Sequence, residues 1–188
     1  MINEVAFGSD GDYSDAKMVD CINAKLSNDL GNLAYRTLSF AYKHCGKVAP
    51  TPAELTDDDE ALLSASKQLL PTLRALADET QLHRMTQSLN AVVQSANRYI
   101  DTQAPWALRK TDTERMQTVL WVLMETLRYV GIAQQPITPT ICARLLDQLA
   151  VPDDARSFAA FASGHELAGG GALPKPEIIV PRYEPPEE

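Results

Sequence analysis

Cysteine is scarce in this 188-residue chain: Cys21, Cys45 and Cys142 are scattered, odd in number and never in a C-x-x-C pair. That excludes a sequence-evident zinc knuckle or disulfide framework, and it fits a reducing compartment. Histidine is equally thin. His44, His83 and His165 stand apart, none with a partner at metal-ligand spacing, so each reads as an ordinary helix or loop residue and no metal site is expected. Basic residues are the minority, 17 against 25 acidic ones. The net charge of −8 argues against a general nucleic-acid binder, whose phosphate contacts normally draw on a basic excess. No apolar run reaches the roughly eighteen residues that a membrane span needs, so no membrane partner is expected. The opening MINEVAFGSDGDYS has neither a basic start nor an apolar centre and is not a signal peptide. No G-x-S-x-G, P-loop or H-E-x-x-H pattern occurs, and no catalytic residue can be named.

What is present is amphipathic helix. Apolar residues make up 45% and charged residues 22%, the balance of a soluble globular domain. Ser14 is a plausible N-cap, after which Met18, Ile22, Leu26, Leu30, Leu33 and Thr37 recur at helical steps until Gly46. Thr56 and Asp59 form a capping-box pair, with the aspartates of 57–59 suited to the positive end of a helix dipole. Leu62, Ala65, Leu69, Leu73 and Leu76 mark the next apolar face, interrupted by Pro71, which kinks the helix or starts a new one. A further helix carries Leu82, Met85, Leu89, Val92, Ala96 and Tyr99 and ends before Pro105. Thr111 with Glu114 reads as a second capping box, followed by Met116, Val119, Leu123, Leu127 and Val130 up to Gly131. Thr138 and Pro139 open a last short helix that ends at Leu149. About five helices with short loops predict an all-α antiparallel bundle over residues 14–150. Residues 151–188, with Gly169–Gly171 and a Pro-rich end, predict an irregular C-terminal arm that packs back on the bundle or on a larger body. Residues 1–13, an extended Val5-Ala6-Phe7 and a Gly/Asp turn, read as a linker from the interior of a longer protein.

Two stretches break the pattern. In SNDLGNLAYR (27–36), Asn28, Asp29, Gly31 and Asn32 put four poor helix formers into five positions of one helix. Gly31 there permits a neighbouring backbone or a nucleotide to come close. Asn32 and Arg36, four apart, project from one face. In NRYIDTQAPWALRK (97–110), Pro105 fixes a turn between two helices and holds Trp106 directly after it. Arg and Asn supply directional hydrogen bonds and Trp a flat stacking surface, the parts needed to read unstacked RNA bases. The same residues also suit a tryptophan plug in the core and a solvated Asn/Arg face, and the periodicity leaves both open.

At these residues the chain resembles the helical anticodon-binding domain of methionyl-tRNA synthetase, a class I aminoacyl-tRNA synthetase. EVAFGSDGDYS resembles the family's lead out of the catalytic half, and NDLGNLAYRTLSF its N-[DE]-L-x-N-L-x-x-R helix. ANRYIDTQAPWAL resembles its N-x-Y-[IV]-x-x-x-x-P-W helix end, and KPEIIVPRYE its closing segment. The likeness covers nearly the whole chain, and the N-L-x-x-R and A-P-W elements in that order are specific to this member of the class. It departs where the usual closing LFPR reads Ile179-Val180-Pro181-Arg182. The nucleotide-binding H-I-G-H and K-M-S-K-S signatures are absent, and KMVD at 17–20 is no substitute.

The resemblance implies that Asn32, Arg36 and Trp106, with Pro105 shaping the Trp loop, meet the CAU anticodon of methionine tRNA. The Trp is expected to stack on the first anticodon base, while Asn and Arg hydrogen-bond base edges. It also implies that this chain is inactive alone as a ligase and holds no cofactor, ATP and methionine being bound by a catalytic domain of the same synthetase. The partners implied are the methionine tRNA anticodon loop and that catalytic domain. The compartment implied is the cytoplasm, with an organelle as the alternative. Two alternatives stay open: the anticodon domain of a synthetase for leucine, isoleucine, valine or cysteine, and a helical protein–protein module with Trp106 as plug or anchor.

Overall fold

The computed structural model describes residues 10–11, 14–162 and 164–184, so most of the predicted linker over residues 1–13 lies outside the described residues. Helix α1, Asp15–Cys21, starts at Ser14, whose hydroxyl accepts from the Lys17 N–H at 3.4 Å. It continues into a π-helical segment, Ile22–Gly31, and then into α2, Asn32–His44. The rod stops where Gly46 and Lys47 turn left-handed, at φ of 68° and 64°. Helix α3, Asp57–Lys67, opens on the predicted Thr56/Asp59 capping box. The break before α4, Leu69–Asp78, falls at Gln68, which leaves Pro71 in the first turn of α4, where a missing N–H costs no helical hydrogen bond.

Helix α5 spans Leu82–Gln103, α6 Pro105–Thr111, α7 Thr113–Gln134 and α8 Pro139–Gln148. With α1–α2 and α3–α4 each taken as one rod and α6 as a corner piece, the bundle has five rods. No strand forms among the described residues, which contain only the isolated antiparallel bridge Val48–Ala172.

Helix α7 is the axis of the bundle. Every residue from Thr118 to Gln134 is buried, not only the predicted stripe. Helices α2, α3, α5 and α8 all pack on it. Its charged residues Glu125 and Arg128 bond inside the protein. Arg128 Nε donates to Glu125 Oε2 at 2.9 Å, and each side chain is only 1% exposed. The pair then captures the chain beyond the bundle: Leu167 N–H donates to Glu125 at 3.0 Å, and Arg128 Nη1 donates to the Ala160 carbonyl at 2.9 Å. At Gly131 a Cβ would stand 3.1 Å from a Leu146 methyl, so glycine permits the close crossing of α7 and α8.

Two sequence expectations shift here. The N-cap of α7 is Asp112, at φ −151°, whose carboxylate accepts from the Arg115 N–H at 2.9 Å; Thr111 instead ends α6. Helix α7 also runs past Gly131 to Gln134.

Residues 164–184 return along the bundle. Trp121 Nε1 donates to the Leu167 carbonyl at 2.9 Å, and the Gln148 amide pairs with both backbone groups of Glu177. Leu173, Ile179 and Val180 are buried against the core. A fully buried side chain of that size contributes about 1.5–3 kcal/mol. The last described stretch reaches the first rod, where the Asn23 amide pairs with both backbone groups of Tyr183, at 3.0 and 2.8 Å.

Candidate nucleic-acid interface

The poor helix formers of SNDLGNLAYR fall in the π-helical segment or at its end. There the Asn32 N–H reaches back five residues to the Ser27 carbonyl, one further than in an α-helix. The wider turn bares carbonyls, and Asn97 on α5 donates its amide to the one on Asp29 at 3.2 Å. Gly31 is buried under the returning chain. A Cβ there would stand 3.0 Å from the Leu26 carbonyl oxygen and 3.5 Å from Val180. The close neighbour of this glycine is therefore the protein's own backbone and Val180. Ser27 donates its hydroxyl to the Val180 carbonyl at 3.2 Å and ties the same two pieces together.

Immediately beyond, α2 presents Asn32, exposed, and Arg36, half-buried. The Asn32 side chain makes no hydrogen bond among the described residues, whereas Arg36 Nη2 donates to Asp101 on α5 at 2.8 Å. The Arg36 guanidinium carbon also lies 5.6 Å from the centroid of the Trp106 ring, within cation–π range.

The corner that carries Trp106 is tightly specified. Ala104 caps α5 in the left-handed region at φ 43°, ψ 63°, a conformation that costs a residue with a Cβ roughly 1–2 kcal/mol. Pro105 follows as the first residue of α6 and is buried, while Trp106 is 44% exposed. Trp106 is thus not a core plug; the buried tryptophan is Trp121. The structure brings Arg36 and Trp106 together. Asn32 lies one turn before Arg36 on α2.

Lys43 and His44 end α2, and Arg109 and Lys110 end α6. Partial burial and the positive charges of Arg109 and Lys43 together hold the His44 imidazole below its ordinary value.

Sequence reasoning missed a second layer beneath the corner. Asp59, read as a helix cap, is fully buried and accepts from the Tyr99 hydroxyl, from the Thr56 N–H at 2.9 Å and from both ends of the Arg115 fork. Burial pushes its carboxyl up, but the Arg115, Tyr99 and Thr56 hydrogen bonds outweigh it and hold the group below the ordinary aspartate value. Burial and the Asp59 charge drive the Tyr99 phenol strongly upward, so it stays a donor. Arg115 Nη2 also donates to Gln103 Oε1 at 2.9 Å, and Gln103 Nε2 donates to Asp58 at 3.1 Å. The available signal was Asp59 itself, an aspartate at the third position of a helix whose neighbours face solvent. Asp101 was missed as well, although it stands in the quoted stretch five residues before Trp106. Among the described residues no group of His, Cys, Asp and Glu could hold a metal, and no helix is long and apolar enough to cross a membrane.

Comparison with known proteins agrees with this geometry. Residues 49–184 match a family described as the anticodon binding domain of methionyl tRNA ligase. The methionine–tRNA ligase of Brucella suis is 47% identical over the whole chain, which covers 36% of that protein. That of Rhizobium meliloti is 42% identical over 99% of the chain, again 36% of the relative. The apo crystal structure of Mycobacterium tuberculosis methionyl-tRNA synthetase superposes with a TM-score of 0.94 at 39% identity, covering 98% of this chain and 38% of that one. The chain thus spans a little over a third of the length of the relatives it matches. Fold and family match together define a helical anticodon-binding domain. Within that class the chain belongs to the methionyl-tRNA ligase family, and a placement with the leucine, isoleucine, valine or cysteine enzymes does not hold.

Proposed function

We propose that this domain reads the anticodon loop of methionine tRNA on behalf of a methionine–tRNA ligase. The observation that carries the reading is the exposed Trp106 indole held beside the Arg36 guanidinium at a corner fixed by Ala104 and Pro105. An unstacked base finds a π-face in Trp106, worth roughly 1–3 kcal/mol. Arg36 donates to base edges, and the exposed Asn32 amide offers both a donor and an acceptor one turn away. The cations at the ends of α2 and α6 supply phosphate contacts that the net charge of −8 hides. A catalytic body of the same ligase binds ATP and methionine and contributes much of the grip on the tRNA. Affinity of this chain alone is accordingly weak and salt-sensitive.

Titration with a CAU anticodon stem-loop tests the reading. Trp106→Ala is expected to cost about 1–3 kcal/mol of binding, with Arg36→Ala also weakening it and favouring loss of anticodon selectivity. Unchanged binding in both variants, or equal binding of stem-loops with unrelated anticodons, would count against it and favour a protein–protein role for the corner.

A further inference from the structure

We propose that Gln103 and Arg115 are positioning residues for Trp106, and that the buried Asp59–Tyr99–Arg115 cluster serves as the fixed point from which the base-stacking indole is aimed. The inference rests on the reading of Trp106 as a stacking surface.

The argument starts from what a short corner needs. Helix α6 has only seven residues, too few to hold an orientation through its own hydrogen bonds. Its direction is therefore set by its packing on α7, through Leu108, and by its two ends. The leading end is Ala104, left-handed at φ 43°, whose N–H donates to the Ile100 carbonyl at 3.0 Å and whose own carbonyl accepts from the Ala107 N–H at 2.8 Å. The trailing end is Asp112, which caps α7 through the Arg115 N–H at 2.9 Å.

Arg115 joins both ends. Its backbone takes the cap of α7, while Nη2 crosses to Gln103, the residue before the left-handed turn, at 2.9 Å. The other nitrogen of the fork is committed to Asp59, and Nη2 also contacts Asp59 at 2.8 Å. Asp59 in turn is seated by Tyr99 on α5 and by its own capping box on α3. One guanidinium thus fixes the end of α5, the start of α7 and the start of α3 relative to each other, and α6 spans the gap between the first two. A planar fork with two nitrogens suits this; a single ammonium cannot reach the carboxylate and the amide in fixed geometry at once. The cluster is paired internally and needs no ligand, so its polar burial has no use in binding and is explained by the corner it holds.

Two substitutions separate positioning from folding. Gln103→Ala removes the tie to the corner and leaves Asp59, Tyr99 and Arg115 paired. Arg115→Lys keeps a cation opposite Asp59 and loses the fork. Both are made in the full 188-residue chain with Trp121→Phe, which leaves Trp106 as the only tryptophan. Expected results are a lower steady-state anisotropy of Trp106 and binding of the CAU stem-loop weakened about five- to thirty-fold, with the thermal transition retained. In a Trp106→Ala background the same two changes should leave stem-loop binding within about two-fold, since there is no indole left to aim.

Full anisotropy and unchanged binding in both variants, while Trp106→Ala alone weakens binding, would overturn the inference and leave the reading of Trp106 standing. Losses that persist undiminished in the Trp106→Ala background would overturn it too, showing a general role in folding. Should Trp106→Ala itself leave binding intact, the RNA reading fails, and anisotropy alone then decides whether Gln103 and Arg115 hold the corner.

Discussion

Arg36 on α2 and Asp101 on α5 meet in an ion pair 2.8 Å long, at the surface, beside the indole of Trp106. The pair is exposed on both sides, with 34% and 63% of the side chains open to solvent, so its net worth to folding is at most about 1 kcal/mol. It also holds a carboxylate beside the Trp106 indole, where on the proposed function an RNA backbone would approach. Asp101→Asn should shift the folding free energy by under about 0.5 kcal/mol. It should also strengthen binding of anticodon stem-loops whatever their sequence, most at low salt. Titrations at two salt concentrations beside a urea melt check both halves; a loss of stability above 1 kcal/mol would mark the pair as structural instead.

Asp59 makes folding pH-dependent in one direction. Its folded carboxyl titrates below the unfolded value of about 4, so its contribution is complete above that value and is lost as pH falls through the lower folded value. Asp59→Asn should therefore cost about 3 kcal/mol at neutral pH, by leaving Arg115 without its counter-charge. The gap between the two proteins should narrow below about pH 4. Urea melts at a series of pH values read this directly, and a constant gap across the acid range would contradict it.

At Gly31 the sign of one substitution distinguishes two helices. In an ordinary α-helix Gly→Ala stabilises by up to about 1 kcal/mol, and Gly31 has no positive φ to forbid it. Here the added methyl meets the Leu26 carbonyl at 3.0 Å and Val180 at 3.5 Å. Gly31→Ala should destabilise by about 1–2 kcal/mol and loosen the residues around Val180. A stabilised variant would mean that the π-helical turn has relaxed to α.

The Glu125–Arg128 pair holds residues 160–167 to the axis of the bundle. Arg128→Met strands a carboxylate that is 1% exposed and should cost about 3–5 kcal/mol. Replacing both partners by apolar residues should recover part of that loss, as the denaturation midpoints will tell.

These buried polar residues also mark where sequence reasoning runs out. Residues that announce themselves locally were legible: the Ser14 cap, the Thr56/Asp59 capping box, Pro71 at a helix start and Thr138-Pro139 opening α8. Helix α6 was not, because seven residues carry too few apolar repeats to show a period. The all-round burial of α7 was hidden by Glu125, Arg128 and Gln134: the first two pair with each other, and the Gln134 amide donates to the Thr138 hydroxyl, instead of facing water. Asn32, Arg36 and Trp106 stood out by residue type and spacing, and resemblance to a family gave them roles. What no pattern could supply was the third dimension of the site: Asp101 beside Arg36, and Arg115, nine residues past Trp106, reaching back under it to Gln103.

The pairing of Asn23 with Tyr183 spans 160 residues, and that of Ser27 with Val180 spans 153. The π-helical turn beneath Asn32 is therefore completed by residues that leave a ribosome more than 150 positions after it. Non-local contacts of this kind form late, because the intervening chain must be closed before they are gained. During synthesis the stretch from 22 to 31 has a long interval in which its eventual clasp does not yet exist. The α2 side chains gain this support only once residues 180 to 183 have been made, so a product interrupted before them carries those side chains without the seat that holds them.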